Sequence, residues 1–360
     1  MSWLFIIILA LFVFVVIVQV AKTLEYVSVI RGKEKTDRDA NKLNATLLIV
    51  FLLAGLAAIY FCNKALRPRL LPRAASDQGV TIDHMMWVTL IITGIVFLAT
   101  QIMLFVFAFV FRSRPGHSAQ YISPYSTTNT RLEIAWTSVT LVVLLILVVV
   151  GLRQWFKMTA PAPSNAMIVE VTGRQFEWIF RYPGPDGELG KKNYKLVNDH
   201  ASNPLGQNWS DRANRDDIVG TATLHLVVNE PVRLVINSQD VVHDVGLPYF
   251  RLKMDAVPGV PTTLWFTPTI TTDSMKRITG NPNFVYELAC NQLCGNAHYA
   301  MRATVVVETR AQFDQWISRQ ESQYAIAMAS ETGTLKGATA DAGISRADSA
   351  SSGRYEKQNN

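Results

Sequence analysis

TLHLVVNEPVRLVI, residues 223–236, places two short apolar runs on either side of Asn229, Glu230 and Pro231. Runs of this length, rich in branched side chains and cut by turn residues, read as β-strands. Similar runs lie on both sides: MIVEV (167–171), QFEWIFRY (175–182), TTLWF (262–266), FVYELA (284–289) and ATVVV (303–307). Repeated short strands with Pro, Gly and Asn between them predict a β-sandwich or barrel. Between them, residues 183–222 are polar, with Gly184, Gly187, Gly190, Pro204 and Gly206, and read as an extended loop inserted in the sheet. AQFDQWISRQESQY (311–324) sets Phe313, Trp316 and Ile317 at helical spacing, which predicts a short amphipathic helix. Residues 325–360 are rich in Ala, Ser, Gly and Thr and read as a mobile tail.

The first half reads differently. Residues 3–20, 44–62, 85–111 and 134–155 form four long apolar runs with no charge at their centres. A bilayer-spanning helix needs roughly 20 such residues, so four transmembrane helices are expected ahead of the β-domain. The overall composition agrees: charged residues make up 17%, below the roughly 25% of ordinary soluble chains. The first run is expected to be retained rather than cleaved. No Lys or Arg precedes it, and no small-x-small site follows.

Loop charge sets the expected orientation. The first and third loops between the apolar runs carry nine basic residues, against four in the second. By the positive-inside rule the first and third loops face the cytoplasm, and the β-domain lies outside. The net charge of +6 does not indicate nucleic-acid binding. Residues 156–360 hold 20 Lys and Arg against 21 Asp and Glu, so the excess flanks the membrane helices.

The chemistry is concentrated in CNQLCGNAHYAM, residues 290–301. Two cysteines, a histidine and a methionine stand within twelve residues, and a helix-like turn would bring them to one side. Sulfur ligands of this kind suit copper(I) or zinc, and the methionine favours copper. A disulfide is the simplest alternative for two cysteines outside the cytoplasm. A blue-copper site would use one cysteine and two histidines. Two cysteines can instead bridge two copper ions, each capped by one histidine, which requires a second histidine from elsewhere. Among six histidines, His84 and His117 fall at membrane edges, His200 in the long loop and His225 inside a strand. His243 follows a strand, where a loop could present it, and is the natural partner of His298.

SQDVVHDVGLPYFRLKMDAVPG (238–259), followed by CNQLCGNAHYAM, resembles subunit II of the haem–copper cytochrome c oxidases. The resemblance covers roughly residues 85–320. It implies a cupredoxin-like β-barrel holding a dinuclear CuA centre. The ligands it implies are His243, Cys290, the backbone carbonyl of Gln292, Cys294, His298 and Met301. It further implies electron transfer from a cytochrome c, or a cytochrome c domain of a neighbouring complex, to haem in subunit I. Dioxygen reduction and proton pumping would occur there, with subunit III alongside. On this reading the chain is a multi-pass protein of the bacterial inner membrane with its copper domain in the periplasm, and it carries no catalytic residue of its own. Its parts are an extra N-terminal helix pair (1–84), the helix hairpin of subunit II (85–157), the CuA domain (158–324) and the tail (325–360).

Several positions depart from the family pattern. Gln292 replaces a glutamate whose carboxylate binds a magnesium ion against subunit I, so that site is expected to be weakened. Asp255 matches an acidic residue near it. GRQFEW (173–178) resembles the family's G-x-Q-W-x-W, with Phe176 at the electron-input position and Trp178 retained. In LEIAWTS (132–138), Glu133 matches the carboxylate at a proton-channel mouth. The first 84 residues have no counterpart in the usual two-helix subunit and are expected to contact neighbouring subunits or a supercomplex partner. No C-x-x-C-H occurs, so no covalent haem is expected in this chain. The CuA subunit of a nitric oxide reductase is an alternative. A membrane-tethered copper chaperone is another, although its thioredoxin-like fold would alternate helices and strands.

Overall fold

The computed structural model describes residues 3–67, 70–113, 121, 123 and 127–332. These divide into two compact units. One holds Met1–Pro72 with Met86–Val149, and the other holds Arg73–Met85 with Val150–Asn360.

The first unit is helical. Its chain runs through α1 (Trp3–Arg31), α2 (Lys33–Leu66), α3 (Asp77–Val110) and α4 (Thr127–Thr159), the last two helices extending into the second unit. Gly32, with φ of 85°, separates α1 from α2 in a conformation that residues with a Cβ avoid. Among the described residues three helices are long and apolar enough to cross a membrane: Lys35–Leu66, Asp77–Val110 and Asn129–Thr159. Their Leu, Ile, Val and Phe side chains point outward without cover, as lipid-facing helices require. The fourth expected span is helical as α1, but the side chains of residues 1–10 lie outside the described set. His117 and the residues after 332 lie outside it as well.

The second unit is a two-sheet β-sandwich. Its strands are β1 (Met167–Arg174), β2 (Glu177–Tyr182), β3 (Ile218–Thr221), β4 (Thr223–Val227), β5 (Val232–Ser238), β6 (His243–Leu247), β7 (Leu252–Ala256), β8 (Thr262–Phe266), β9 (Tyr286–Cys290) and β10 (Arg302–Glu308). One sheet has the order β3-β2-β1-β5-β8, the other β4-β10-β9-β6-β7. Pairing is antiparallel except for β1 with β5 and β4 with β10. The core lies between the sheets. Val169, Val171, Trp178 and Phe180 meet Leu224, Leu288, Tyr286 and Val305 there, all buried.

Three strands and one helix lie outside the runs that the sequence marked as strands or helix. β6, HDVGL, does not read as a strand because two of its five residues are polar and one is glycine. It forms because β7 and β9 pair with it on both edges, and all five residues are buried. β3 and β7 are short. Helix α5 (Thr272–Thr279) starts where the Thr271 side chain accepts from Ser274 N at 3.1 Å.

The polar stretch after β2 is a packed element rather than an open loop. Arg181 points out of the sheet and is buried beneath it. Its guanidinium donates to Asp217, to Glu170 (3.0 Å), to the Gly190 carbonyl (2.7 Å) and to Asn214 (2.8 Å). Lys192 and Asn237 hold the other oxygen of Glu170.

The expected C-terminal elements shift. The single helix over 311–324 divides into α6 (Arg310–Ile317), with a Thr309–Gln312 capping box, and α7 (Gln323–Glu331). The first seven residues of the expected tail, 325–331, are therefore helical, which the alanines at 325, 327 and 329 favour. Gln323 N donates to the Asp217 carbonyl at 2.8 Å and Tyr324 meets Trp209, so α7 is fastened to the polar stretch.

The boundary expected at residue 84 also moves. Residues 73–85 pack with the β-domain: Ala75 N donates to Tyr249 O, Thr269 N donates to Ala75 O, and Ser76 forms a bridge with Pro268. Arg251 closes the contact with two hydrogen bonds to Asp83, at 2.8 and 3.0 Å. Residues 73–85, the end of the second inter-helix loop and the first turns of α3, thus belong to the β-domain.

Candidate metal centre

Strand pairing builds the site. Val245 on β6 faces Cys290 on β9 in register, and His243, two residues from Val245, projects from the same face as Cys290. The chain then leaves β9, turns through Gly295 at φ of 137°, makes a short 3₁₀ turn at His298–Ala300 and returns as β10. Cys290 N donates to the Met301 carbonyl at 3.1 Å and closes this loop. A hairpin loop, not a helical turn, therefore gathers the sulfur ligands.

The donor atoms converge. Cys290 and Cys294 are unpaired and buried, with sulfurs 3.8 Å apart. At that separation the two are not joined as a disulfide, whose S–S bond is about 2.05 Å. It suits two thiolates sharing metal, since thiolate–metal bonds run to about 2.3 Å. His243 Nδ1 lies 3.9 Å from Cys290 Sγ, and the Gln292 carbonyl oxygen lies 3.2 Å from it. On the other side, His298 Nδ1 lies 3.6 Å from Cys294 Sγ and Met301 Sδ 3.9 Å. Each sulfur thus has its own imidazole and its own weaker donor. The ligand atoms of His243, Cys290 and Cys294 fall within 4.8 Å of one another. Two soft thiolates, two imidazoles and a thioether suit copper. Burial, then the neighbouring Cys290, push the Cys294 thiol up to about 11. Without metal, that thiol therefore keeps its proton at neutral pH, and metal binding displaces it.

Asp240, not singled out by sequence, orients the histidine. Its Oδ1 accepts from His243 Nε2 at 2.7 Å, which leaves Nδ1 as the nitrogen that faces Cys290. Burial works against the Asp240 charge, but hydrogen bonds from Gln175 N, His243 and Val241 N outweigh it and hold the carboxyl below its usual range. The signal was the three-residue spacing within SQDVVH.

The remaining candidates separate. Trp178 is buried in the core, with its ring edge-on to His243 at 5.9 Å. Phe176 is half-buried, and a Cβ on Gly295 would stand 3.0 Å from its ring, so it touches the ligand loop. Asp255 is exposed on β7, opposite Asp244 across the strand pair. Burial, then Asp255, raise the Asp244 carboxyl above its usual range. Glu133 stands exposed on α4, in the other unit. His225 is no ligand: it stacks on Trp316 at 3.8 Å and bonds Glu308 at 2.8 Å.

The fit around His243 is close. A Cβ on Gly173 would lie 3.0 Å from both His243 Cδ2 and Trp178 Cζ3. Gly173→Ala is expected to displace the imidazole, lower copper content and cost about 1–3 kcal/mol. Metal analysis beside a thermal melt checks both effects.

Residues 167–309 match the family model described as cytochrome c oxidase subunit II, periplasmic domain. The alternative cytochrome c oxidase subunit 2 of Bradyrhizobium diazoefficiens is 36% identical over 243 residues, covering 67% of this chain and 80% of that protein. The chain belongs to the cytochrome c oxidase subunit II family. The cytochrome c oxidase subunit 2 of Thermostichus vulcanus is 25% identical, covering 71% of this chain and 79% of that one. The periplasmic domain of subunit II of cytochrome oxidase from Bradyrhizobium japonicum is 20% identical over 44% of this chain and 95% of its own, with a TM-score of 0.31. Membership makes the chain a membrane-anchored subunit of an oxidoreductase complex whose catalysis belongs to other subunits.

Proposed function

We propose that this chain is the electron-input subunit of its oxidase, taking electrons from a cytochrome c and passing them to haem in subunit I. Dioxygen reduction coupled to proton pumping takes place in that subunit. The supporting observation is the pair of unpaired thiols 3.8 Å apart, with an imidazole at each end. His243, Cys290, the Gln292 carbonyl, Cys294, His298 and Met301 would hold a dinuclear CuA centre. Such a centre, when bound, supplies one-electron redox chemistry with its charge shared through both thiolates. The chain's own residues supply rigidity: Asp240 fixes the imidazole, and burial of His243, Cys290, Cys294 and Met301 excludes water.

Phe176, in contact with the ligand loop, is the proposed electron-input aromatic, with Trp178 behind it. Glu133 is proposed to open a proton path. The magnesium site near Asp255 is weakened by Gln292. The β-domain lies in the periplasm of a bacterial inner membrane.

Rapid mixing of the purified oxidase with reduced cytochrome c tests the reading. Thiolate–copper absorbance should bleach in step with cytochrome oxidation, before haem is reduced. Haem reduction with no such phase would contradict it.

Because residues 73–85 belong to the β-domain, the extra helices are best tested by deleting residues 1–72. The shortened chain is expected to keep its copper signal but lose association with neighbouring subunits. Normal assembly and turnover would remove that role.

A further inference from the structure

The tip of the β1–β2 hairpin reaches the metal loop. Gln175 occupies that tip and makes two contacts to the metal site. Its backbone N donates to Asp240 Oδ2 at 2.7 Å, and Asp240 Oδ1 holds His243. Its side-chain Nε2 donates to the Cys294 carbonyl at 2.5 Å, across 119 residues of sequence. That carbonyl belongs to the peptide joining Cys294 to Gly295, where φ is 137° and a Cβ would stand 2.9 Å from Gln175 Nε2. Glycine adopts such a backbone conformation without the steric cost a Cβ would bring. The hairpin tip is itself anchored, because Arg174 pairs with Glu177 at 2.5 Å and with Asp199 at 2.8 Å.

We infer that Gln175 is a positioning residue for the metal centre, tying the His243 and Cys294 halves of the ligand set to one hairpin. The inference rests on the copper reading above. The main-chain contact to Asp240 survives substitution, so the side chain is the part that can be tested. Gln175→Glu keeps the shape but turns the donor into an ionised acceptor facing a carbonyl. Gln175→Ala removes the contact altogether.

The experiment uses the full-length protein in its purified complex. Copper release to a chelator is timed, and the copper hyperfine pattern and midpoint potential are recorded. Removing a group that orients a metal ligand typically weakens metal affinity by roughly 10–100-fold. Both variants are expected to release copper roughly 10–100-fold faster than the parent and to show an altered hyperfine pattern. If Gln175→Ala fails to assemble, the isosteric Gln175→Glu decides. Unchanged copper retention and spectrum in Gln175→Glu would overturn the inference while leaving the copper centre intact. Absence of any copper-pair signal in the parent protein would overturn the copper reading and this inference with it.

Discussion

Cys294→Ser is expected to leave at most one copper per chain and to cut electron input from cytochrome c by about 100-fold or more. Cys294 sits at the middle of the cluster, 3.8 Å from Cys290 Sγ, 3.6 Å from His298 Nδ1 and 3.9 Å from Met301 Sδ. A serine hydroxyl is a hard donor that does not ionise near neutral pH, so it cannot replace a bridging thiolate. Loss of a group that merely orients a ligand already costs roughly 10–100-fold in affinity or activity, and loss of a bridging ligand exceeds that. The fold should survive, because serine is smaller than cysteine and the site is shaped by the β6–β9–β10 ladder. Cys62→Ser, on an exposed position of α2, serves as the control and should change neither quantity. Metal analysis and the cytochrome oxidation rate of the purified complex are the readouts. Two coppers retained in Cys294→Ser would contradict the bridging role.

Arg181→Met should produce the largest loss of stability. Arg181, Glu170 and Asp217 are all buried, at 1%, 5% and 0% exposure. Removing the guanidinium leaves Asp217 without its counter-charge and Glu170 with Lys192 alone, and breaking a buried pair in this way costs about 3–5 kcal/mol. For a domain of this size each kcal/mol moves Tm by about 2–4 °C, so a fall of roughly 6–20 °C is expected. The hydrogen bonds to Gly190 and Asn214 go with it, so the polar stretch after β2 should become the first region to open to hydrogen exchange. A melt within about 2 °C of the parent would show that the network carries no net stability.

The sequence made much of this architecture legible, for identifiable reasons. α2, α3 and α4 enclose long uncharged runs, and such runs have few alternatives in a folded chain. β1, β4, β5 and β8 begin at the residues where their apolar runs begin. The loop at 290–301 stood out because its cysteine, histidine and methionine side chains are close in sequence and chemically distinctive. What remained hidden depends on contacts between distant residues. β6 is a strand only because neighbours pair with both its edges, so His243 begins a strand instead of following one. Arg181 sits in a run that reads as an ordinary strand, and its burial depends on Asp217, 36 residues later. Residues 73–85 read as a polar link between two spans. Their place in the β-domain rests on Tyr249, Arg251 and Pro268. Gln175 gave no signal beyond a familiar motif, since its partner Cys294 lies on the far side of the domain in sequence.

The most direct test is to count copper in the purified full-length protein and record its electron paramagnetic resonance spectrum. Two coppers per chain, with the hyperfine pattern of one unpaired electron shared equally by two copper nuclei, is the result expected of Cys290 and Cys294 as bridging ligands. One copper with a single-nucleus pattern, or a Cys290–Cys294 disulfide with no copper, would contradict the account.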